Sequence, residues 1–305
     1  MKEKNFKKIA KRRQTIFLCS LLVLPVIQWL VFWLGVNFDG ILLAFEDART
    51  EEFTLQNFKD FWENLTSPYG NVKVAINNTL KYFFANLFTI VLCFFTAYFF
   101  HKKIAGYKAF RIIFYLPAII SSVALVTAFK SFVNPGGPVP MIAEQLGFDV
   151  PVEGLLANKL TATNTIVFYS IWTGLTTNVL LIGSAMNRVP AEVLEAATID
   201  GCGMARELFQ LILPMIWSSV SSVLILALTY IVNSSGPILL FTGGQHDTST
   251  INYWIFSLVY GGGASGPAVG SLNLASCVGL CFTLVSVPII MVVRKLFEKI
   301  PTVEY

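Results

Sequence analysis

Six stretches of this chain are apolar over about the length that crosses a bilayer: 15–36, 82–100, 112–129, 165–185, 208–232 and 272–293. None contains an Asp or Glu. A hydrocarbon core takes roughly 20 helical residues to span. Within it every backbone N–H and C=O must be paired inside the segment, which leaves helices as the economical solution. The fold class expected is therefore an all-α integral membrane protein with six transmembrane helices. The composition agrees, since only 13% of the 305 residues are charged against about 25% in soluble domains. The run 15–36 is too long for a signal-peptide core and reads as an uncleaved first span. A further apolar piece, Ile251–Tyr260, is too short to cross and reads as re-entrant or interfacial.

The net charge of +4 is distributed as a topology signal. Lys2, Lys4, Lys7, Lys8, Lys11, Arg12 and Arg13 precede the first run. Lys102, Lys103, Lys108 and Arg111 separate the second from the third, and Arg294, Lys295 and Lys299 follow the sixth. The Lys/Arg bias puts these loops, and both termini, in the cytoplasm. The basic arm 1–14 is a topology determinant with affinity for anionic membrane lipid, and nucleic acid is not an expected partner. On the outer side, 39–73 is a loop with room for one amphipathic surface helix.

The chemistry that is missing narrows the function. No GxxxxGK[ST] occurs, so the chain has no P-loop of its own. Gly261–Gly266 formally satisfies GxGxxG, but without a βαβ context it reads as a turn. His101 and His246, the two histidines, lie in loops with no nucleophile set around them, so no catalytic residues are expected. Cys277 and Cys281 share a helical face without a His or carboxylate, so no metal site is expected. Spans free of carboxylates disfavour a proton relay, since a mid-membrane charge costs about 3 kcal/mol and is kept where it is needed.

One segment between the spans is polar and helix-forming: Val189–Pro214, VPAEVLEAATIDGCGMARELFQLILP. Pro190 suits a first helical position, Ala191 to Thr198 are mostly good helix formers, and Glu192 lies near the positive end of the dipole. Gly201 ends this helix in a left-handed conformation, and Met204 to Leu213 starts a second. Val193, Leu194 and Ala197 make a narrow apolar stripe that a docked partner would cover.

Glu195-Ala196-Ala197, three residues, Gly201, nine residues and Leu211-Ile212-Leu213-Pro214 resemble the EAA signature of the permease subunits of binding-protein-dependent ABC importers. Leu211 stands where the pattern has Ile. Thr198-Ile199-Asp200-Gly201 and the Trp-rich span upstream resemble the maltose-type, carbohydrate-uptake branch. The chain has no room for the large external domain of the best-known maltose-type permease, and Phe241-Thr242-Gly243-Gly244-Gln245 matches a family turn only up to Gln245.

The resemblance implies a type I ABC importer permease fold, with a basic arm 1–14, a six-helix permease domain 15–300 containing a cytoplasmic coupling loop 188–207, and a tail 301–305. It implies a transporter subunit in the plasma membrane of a prokaryote. The expected partners are a second related permease, two ATP-binding subunits that carry ATP and Mg, and an extracellular solute-binding protein. No cofactor belongs to this chain. Glu195, Ala196, Ala197, Asp200 and Gly201 would engage the ATPase.

In maltose-type permeases the sugar site lies on the spans flanking this loop. Here Ser170, Gly174 and Thr177 recur at helical spacing on one flanking span, and Tyr230, Asn233 and Ser234 on the other. Hydroxyls, an amide and an aromatic ring suit a neutral sugar, so these six form the expected substrate site. Small residues at this spacing also make helix-packing surfaces. Lys130 is either a snorkelling anchor or a cation at the pathway mouth. The alternatives are a permease for a non-sugar solute such as a phosphorylated polyol or peptide, for which Lys130 should be essential, and a non-transporting scaffold, which should survive Tyr230→Ala.

Overall fold

Helix is the answer the backbone finds in every apolar run. The structure is a computed structural model describing residues 2–67, 71–234, 236–261 and 271–300, with backbone only at 2–12, 71, 232 and 233. Tail 301–305 and all but Gly261 of the GxGxxG turn lie outside the described residues. Among those residues the one piece of β structure is an isolated bridge between Glu46 and Phe53. The chain divides into two compact units, 1–62 with 258–280 and 63–257 with 281–305.

In the first unit, α1 (Lys2–Gln28) passes through a π-helical stretch, Trp29–Gly35, into α2 (Val36–Leu43). Arg13–Leu43 is long and apolar enough to span, and its apolar part has no buried residue. This helix runs beyond Asp39, where the sequence predicts a loop, because Gly40 to Leu43 continue the apolar pattern. Two amides close the end of the unit. Asn57, on α3 (Gln56–Thr66), donates to the carbonyls of Ala44 and Glu46, both at 3.0 Å, and Asn273 donates to those of Leu43 at 3.1 Å and Glu46 at 2.9 Å. Helix α3 falls within the loop 39–73, where the sequence leaves room for one helix.

The second unit is built around α4 (Asn71–His101) packed along α8 (Ala162–Met186). Between them the chain forms α5 (Tyr107–Ile119), α6 (Ser122–Val133) and α7 (Pro138–Gln145). After α8 come α9 (Ala191–Ile199), α10 (Met204–Arg206), a π-helical stretch Glu207–Ile212, α11 (Leu213–Met215), α12 (Trp217–Asn233), α13 (Ile238–Phe241), α14 (Ile251–Tyr260) and α15 (Ser271–Glu298), of which residues 258–260 and 271–280 belong to the first unit. One core joins α4, α8 and α12 through Ile90, Cys93, Ala97, Val179, Ile182, Met186, Ile212 and Val223. A second gathers Tyr82, Val126, Ile166, Tyr169, Ile238 and Phe241.

Four helices are continuous candidate spans, and the count reaches six if each of two bent pairs is one span. The expected third span, 112–129, is broken: α5 and α6 meet at 110°, with Ile120 and Ser121 extended (ψ 142° and 134°). Pro117 has already removed one rung of the ladder near the end of α5. Thr176 of α8 donates to the Phe114 carbonyl at 2.6 Å, so the neighbouring helix pins this stretch. The expected fifth span, 208–232, bends by 79° at Ile216. Pro214 removes the N–H that would reach Gln210, and the wider π turn just ahead absorbs the mismatch.

The loop after α13 fixes the first turns of α4. Asn78, 2% exposed, donates to the carbonyls of Asp247 at 2.7 Å and Ser249 at 2.9 Å, and Thr79 Oγ1 accepts the N–H of Ile251 at 3.0 Å. One turn further along α4 is Tyr82.

Candidate functional site

A cavity of about 580 Å³ opens between α4, α8 and α12. Its polar wall follows from helical spacing. Tyr82, Asn86 and Thr89 stand at i, i+4 and i+7 on α4, and Ser170, Thr173, Gly174, Thr177 and Asn178 share a face of α8. Thr229 and Tyr230 come from α12, with Ser234, Gly236 and Pro237 from the turn that follows. No described residue lining the cavity carries an acidic or basic side chain.

Most hydroxyls here are half-committed to their own helices. Thr89 donates to the Ala85 carbonyl at 2.8 Å, Ser170 to that of Ile166 at 2.9 Å, Thr173 to that of Tyr169 at 3.0 Å and Thr229 to that of Leu226 at 2.6 Å. The oxygens keep lone pairs that can accept from a solute. Gly174 serves packing as well, since a Cβ there would meet Thr89 Cγ2 at 3.4 Å. The small-residue face of α8 is thus both a close helix contact and a cavity wall.

Of the six residues expected at a solute site, Ser170, Gly174, Thr177, Tyr230 and Ser234 all line this one cavity. The side chain of Asn233 lies outside the described residues. Sequence reasoning missed the face on α4, although Tyr82, Asn86 and Thr89 carry the same spacing signal inside an aromatic-rich run. Lys130 is half-buried on α6 and does not line the cavity.

The polar segment forms the expected turn. Gly201 has φ +71°, its N–H bonds to the Thr198 carbonyl at 3.1 Å, and the Cys202 N–H reaches that of Ala197 at 2.9 Å. This paired closure satisfies the last carbonyls of α9 through a left-handed residue. Two details differ from the sequence expectation. Pro190, with ψ 134°, stands just outside the helix instead of in its first position, because an extended residue is what enters α9. The stripe of Val193, Leu194 and Ala197 is turned largely inward: Leu194 packs on the core shared by α4, α8 and α12, and Ala197 is 8% exposed. The face left open carries Glu192, Glu195, Ala196, Asp200 and Ile199, the last 86% exposed.

Two polar contacts join this segment to the helices that line the cavity. Arg188 donates to Ser219 Oγ on α12 at 2.8 Å, and Lys102, at the end of α4, donates to Glu207 Oε2 at 2.8 Å. Glu207 is 5% exposed at the start of the π turn. At the same end of α12, Trp217 Nε1 donates to the Phe297 carbonyl of α15 at 3.2 Å.

The profile of the family described as "Binding-protein-dependent transport system inner membrane component" matches residues 89–300. The multiple sugar-binding transport system permease protein MsmF of Streptococcus mutans is 28% identical over 79% of this chain and 82% of its own length. The sn-glycerol-3-phosphate transport system permease protein UgpA of Escherichia coli O157:H7 is 26% identical over 63% of this chain and 62% of its own. A bacterial ABC transporter involved in the import of the acidic polysaccharide alginate aligns with a TM-score of 0.76 at 20% identity, covering 96% of this chain and 99% of that one. A chain of the alginate ABC transporter in complex with an alginate pentasaccharide-bound periplasmic protein aligns with a TM-score of 0.74 at 21% identity, covering 95% and 96%.

Proposed function

The chain belongs to the inner membrane components of binding-protein-dependent transport systems, and from that premise we propose that it forms half of the pathway of an ATP-driven importer for a neutral carbohydrate. It is a multi-pass membrane subunit with no P-loop, so hydrolysis resides on other chains. The observation that carries the carbohydrate reading is the uncharged, hydroxyl-rich cavity between α4, α8 and α12. The sugar permease among its relatives, and the alginate importer whose fold it shares, support the same class. A phosphorylated polyol, suggested by the glycerol-3-phosphate relative, finds no cation among the described residues of this wall to balance its charge.

The assembly proposed contains a second permease, two ATP-binding subunits holding ATP and Mg, and an extracellular solute-binding protein. The bound periplasmic protein of the alginate system supports the last of these. Both termini and the loop 188–207 face the cytoplasm in this arrangement, where Glu195, Ala196, Ala197, Asp200 and Gly201 meet the ATPase. Closure of the ATPases moves this loop, and the loop moves α12 directly through the chain and α4 through Lys102 and Glu207. The ATP-bound state favours one orientation of the cavity and hydrolysis releases the other.

The test is purification of tagged chain from its own membranes with identification of what accompanies it, followed by ATP hydrolysis in proteoliposomes. Recovery of a P-loop ATPase and a second permease, with hydrolysis stimulated by a sugar-loaded binding protein, is the expected result. A chain recovered alone in a detergent that preserves other such complexes would overturn it.

A further inference from the structure

Tyr82 is 5% exposed, and its Oη has no hydrogen-bond partner among the described residues. The ring packs in the cluster of Ile166, Tyr169 and Ile238, which fixes its direction. It lies against Gly236, where a Cβ would stand 3.0 Å from Cε1 and 3.3 Å from Oη. Both residues line the cavity, and φ +50° at Gly236 suits a residue without a side chain. The phenol therefore reaches the wall where no side chain of residue 236 stands in front of it. Buried polar atoms are nearly always paired, so an orphaned hydroxyl at the edge of a cavity points to a partner that arrives from outside the chain.

The surrounding wall says what that partner is. Thr89, Ser170 and Thr173 have given their protons to backbone carbonyls and can now only accept. Tyr82 is a donor without an acceptor. A sugar hydroxyl answers both needs, its oxygen accepting from Tyr82 and its proton going to a neighbouring hydroxyl oxygen. A carboxylate or phosphate would accept from Tyr82 but has no proton for these three hydroxyl oxygens, and it meets no cation among the described residues of the wall.

We infer that Tyr82 Oη is a specificity-determining contact that donates a hydrogen bond to one hydroxyl oxygen of a neutral carbohydrate in this cavity. The inference rests on the carbohydrate reading above and extends the site to α4, a helix that does not flank the coupling loop.

The experiment uses the assembled transporter in proteoliposomes with saturating binding protein loaded with maltotriose, cellotriose, raffinose or an alginate trisaccharide. If no probe is taken up, the carbohydrate reading fails and the inference with it. If the alginate trisaccharide alone is taken up, the neutral class is overturned while a carbohydrate function stands. With a transported neutral sugar, Tyr82→Phe keeps the ring and removes Oη, and uptake of the parent sugar should fall about tenfold, the scale of one buried hydrogen bond. Deoxy analogues of that sugar locate the contact. One of them should be transported equally by the parent protein and Tyr82→Phe, while the others show the full loss. The binding protein is common to every reaction, so its own preference cancels in each variant-to-parent ratio. Equal uptake of all sugars by both proteins, or an equal loss for every analogue, would overturn the inference. The second pattern would assign the hydroxyl to folding alone.

Discussion

Lys102 Nζ lies 2.8 Å from Oε2 and 2.6 Å from Oε1 of Glu207, joining the end of α4 to the π turn that follows the Gly201 hinge. Glu207 has 6% of its side chain exposed and Lys102 35%. Removing one partner of a fully buried pair costs about 3–5 kcal/mol, and partial exposure of the lysine reduces this to about 1–3. The pair should matter more to coupling than to folding, because α4 carries Tyr82, Asn86 and Thr89 into the cavity. Lys102→Glu and Glu207→Lys should each abolish stimulation of ATP hydrolysis by loaded binding protein, and the double exchange should restore a measurable part of it. Two silent single variants would remove this link from the mechanism.

At Gly201 the backbone, with φ +71°, sets the tolerance. A left-handed conformation costs an ordinary L-residue about 1–2 kcal/mol, and asparagine less than most. Beyond its chain neighbours no described atom lies within 4 Å of a Cβ built there, so crowding by distant parts of the chain is not the issue. Gly201→Val should lose uptake while still inserting in the membrane, and Gly201→Asn should keep a substantial fraction. The comparison is made by transport assay alongside quantitative blotting of membranes. Equal activity in both variants would show that the hinge conformation is dispensable.

Gly174 touches the close contact between α4 and α8. Its Cβ position is 3.4 Å from Thr89 Cγ2, so Gly174→Ala requires only a slight adjustment. Gly174→Leu should force the helices apart, at about 1–3 kcal/mol for overpacking, and fill part of the cavity. Thermal unfolding in detergent and uptake should therefore separate the two variants, with alanine near the parent and leucine lowered in both. Normal transport by Gly174→Leu would remove this cavity from the solute route.

The hinge is legible in sequence because glycine has one strong local meaning at a helix end, and the neighbouring carbonyls then close on Gly201 and Cys202. The α8 face is legible because its polar residues stand out against leucines and isoleucines at a helical period. The α4 face is harder to see: a tyrosine, one amide and one threonine among many phenylalanines look like an ordinary span until Gly236 is brought against the tyrosine by the fold. The breaks at Ile120 and Ile216 are missed for a different reason. Pro117 and Pro214 mark weak points in the ladder, but the degree of bending depends on neighbours such as Thr176 that only the tertiary structure supplies. Leu194 turns inward for the same reason, since its partners come from distant helices.

The energy source is the last property the chain itself constrains. None of the six apolar runs contains an acidic residue, and neither histidine lies in them, so the runs hold no carboxylate or imidazole to relay a proton. Uptake into proteoliposomes should consequently require ATP on the side of the ATPases and proceed without a proton gradient. It should also show no steep step between pH 6 and 8 that Asn86→Ala or Thr177→Ala removes, since neither group titrates. The decisive comparison is uptake under an imposed pH gradient without nucleotide. Accumulation under that condition would place the driving force in a proton relay, for which these spans offer no carboxylate.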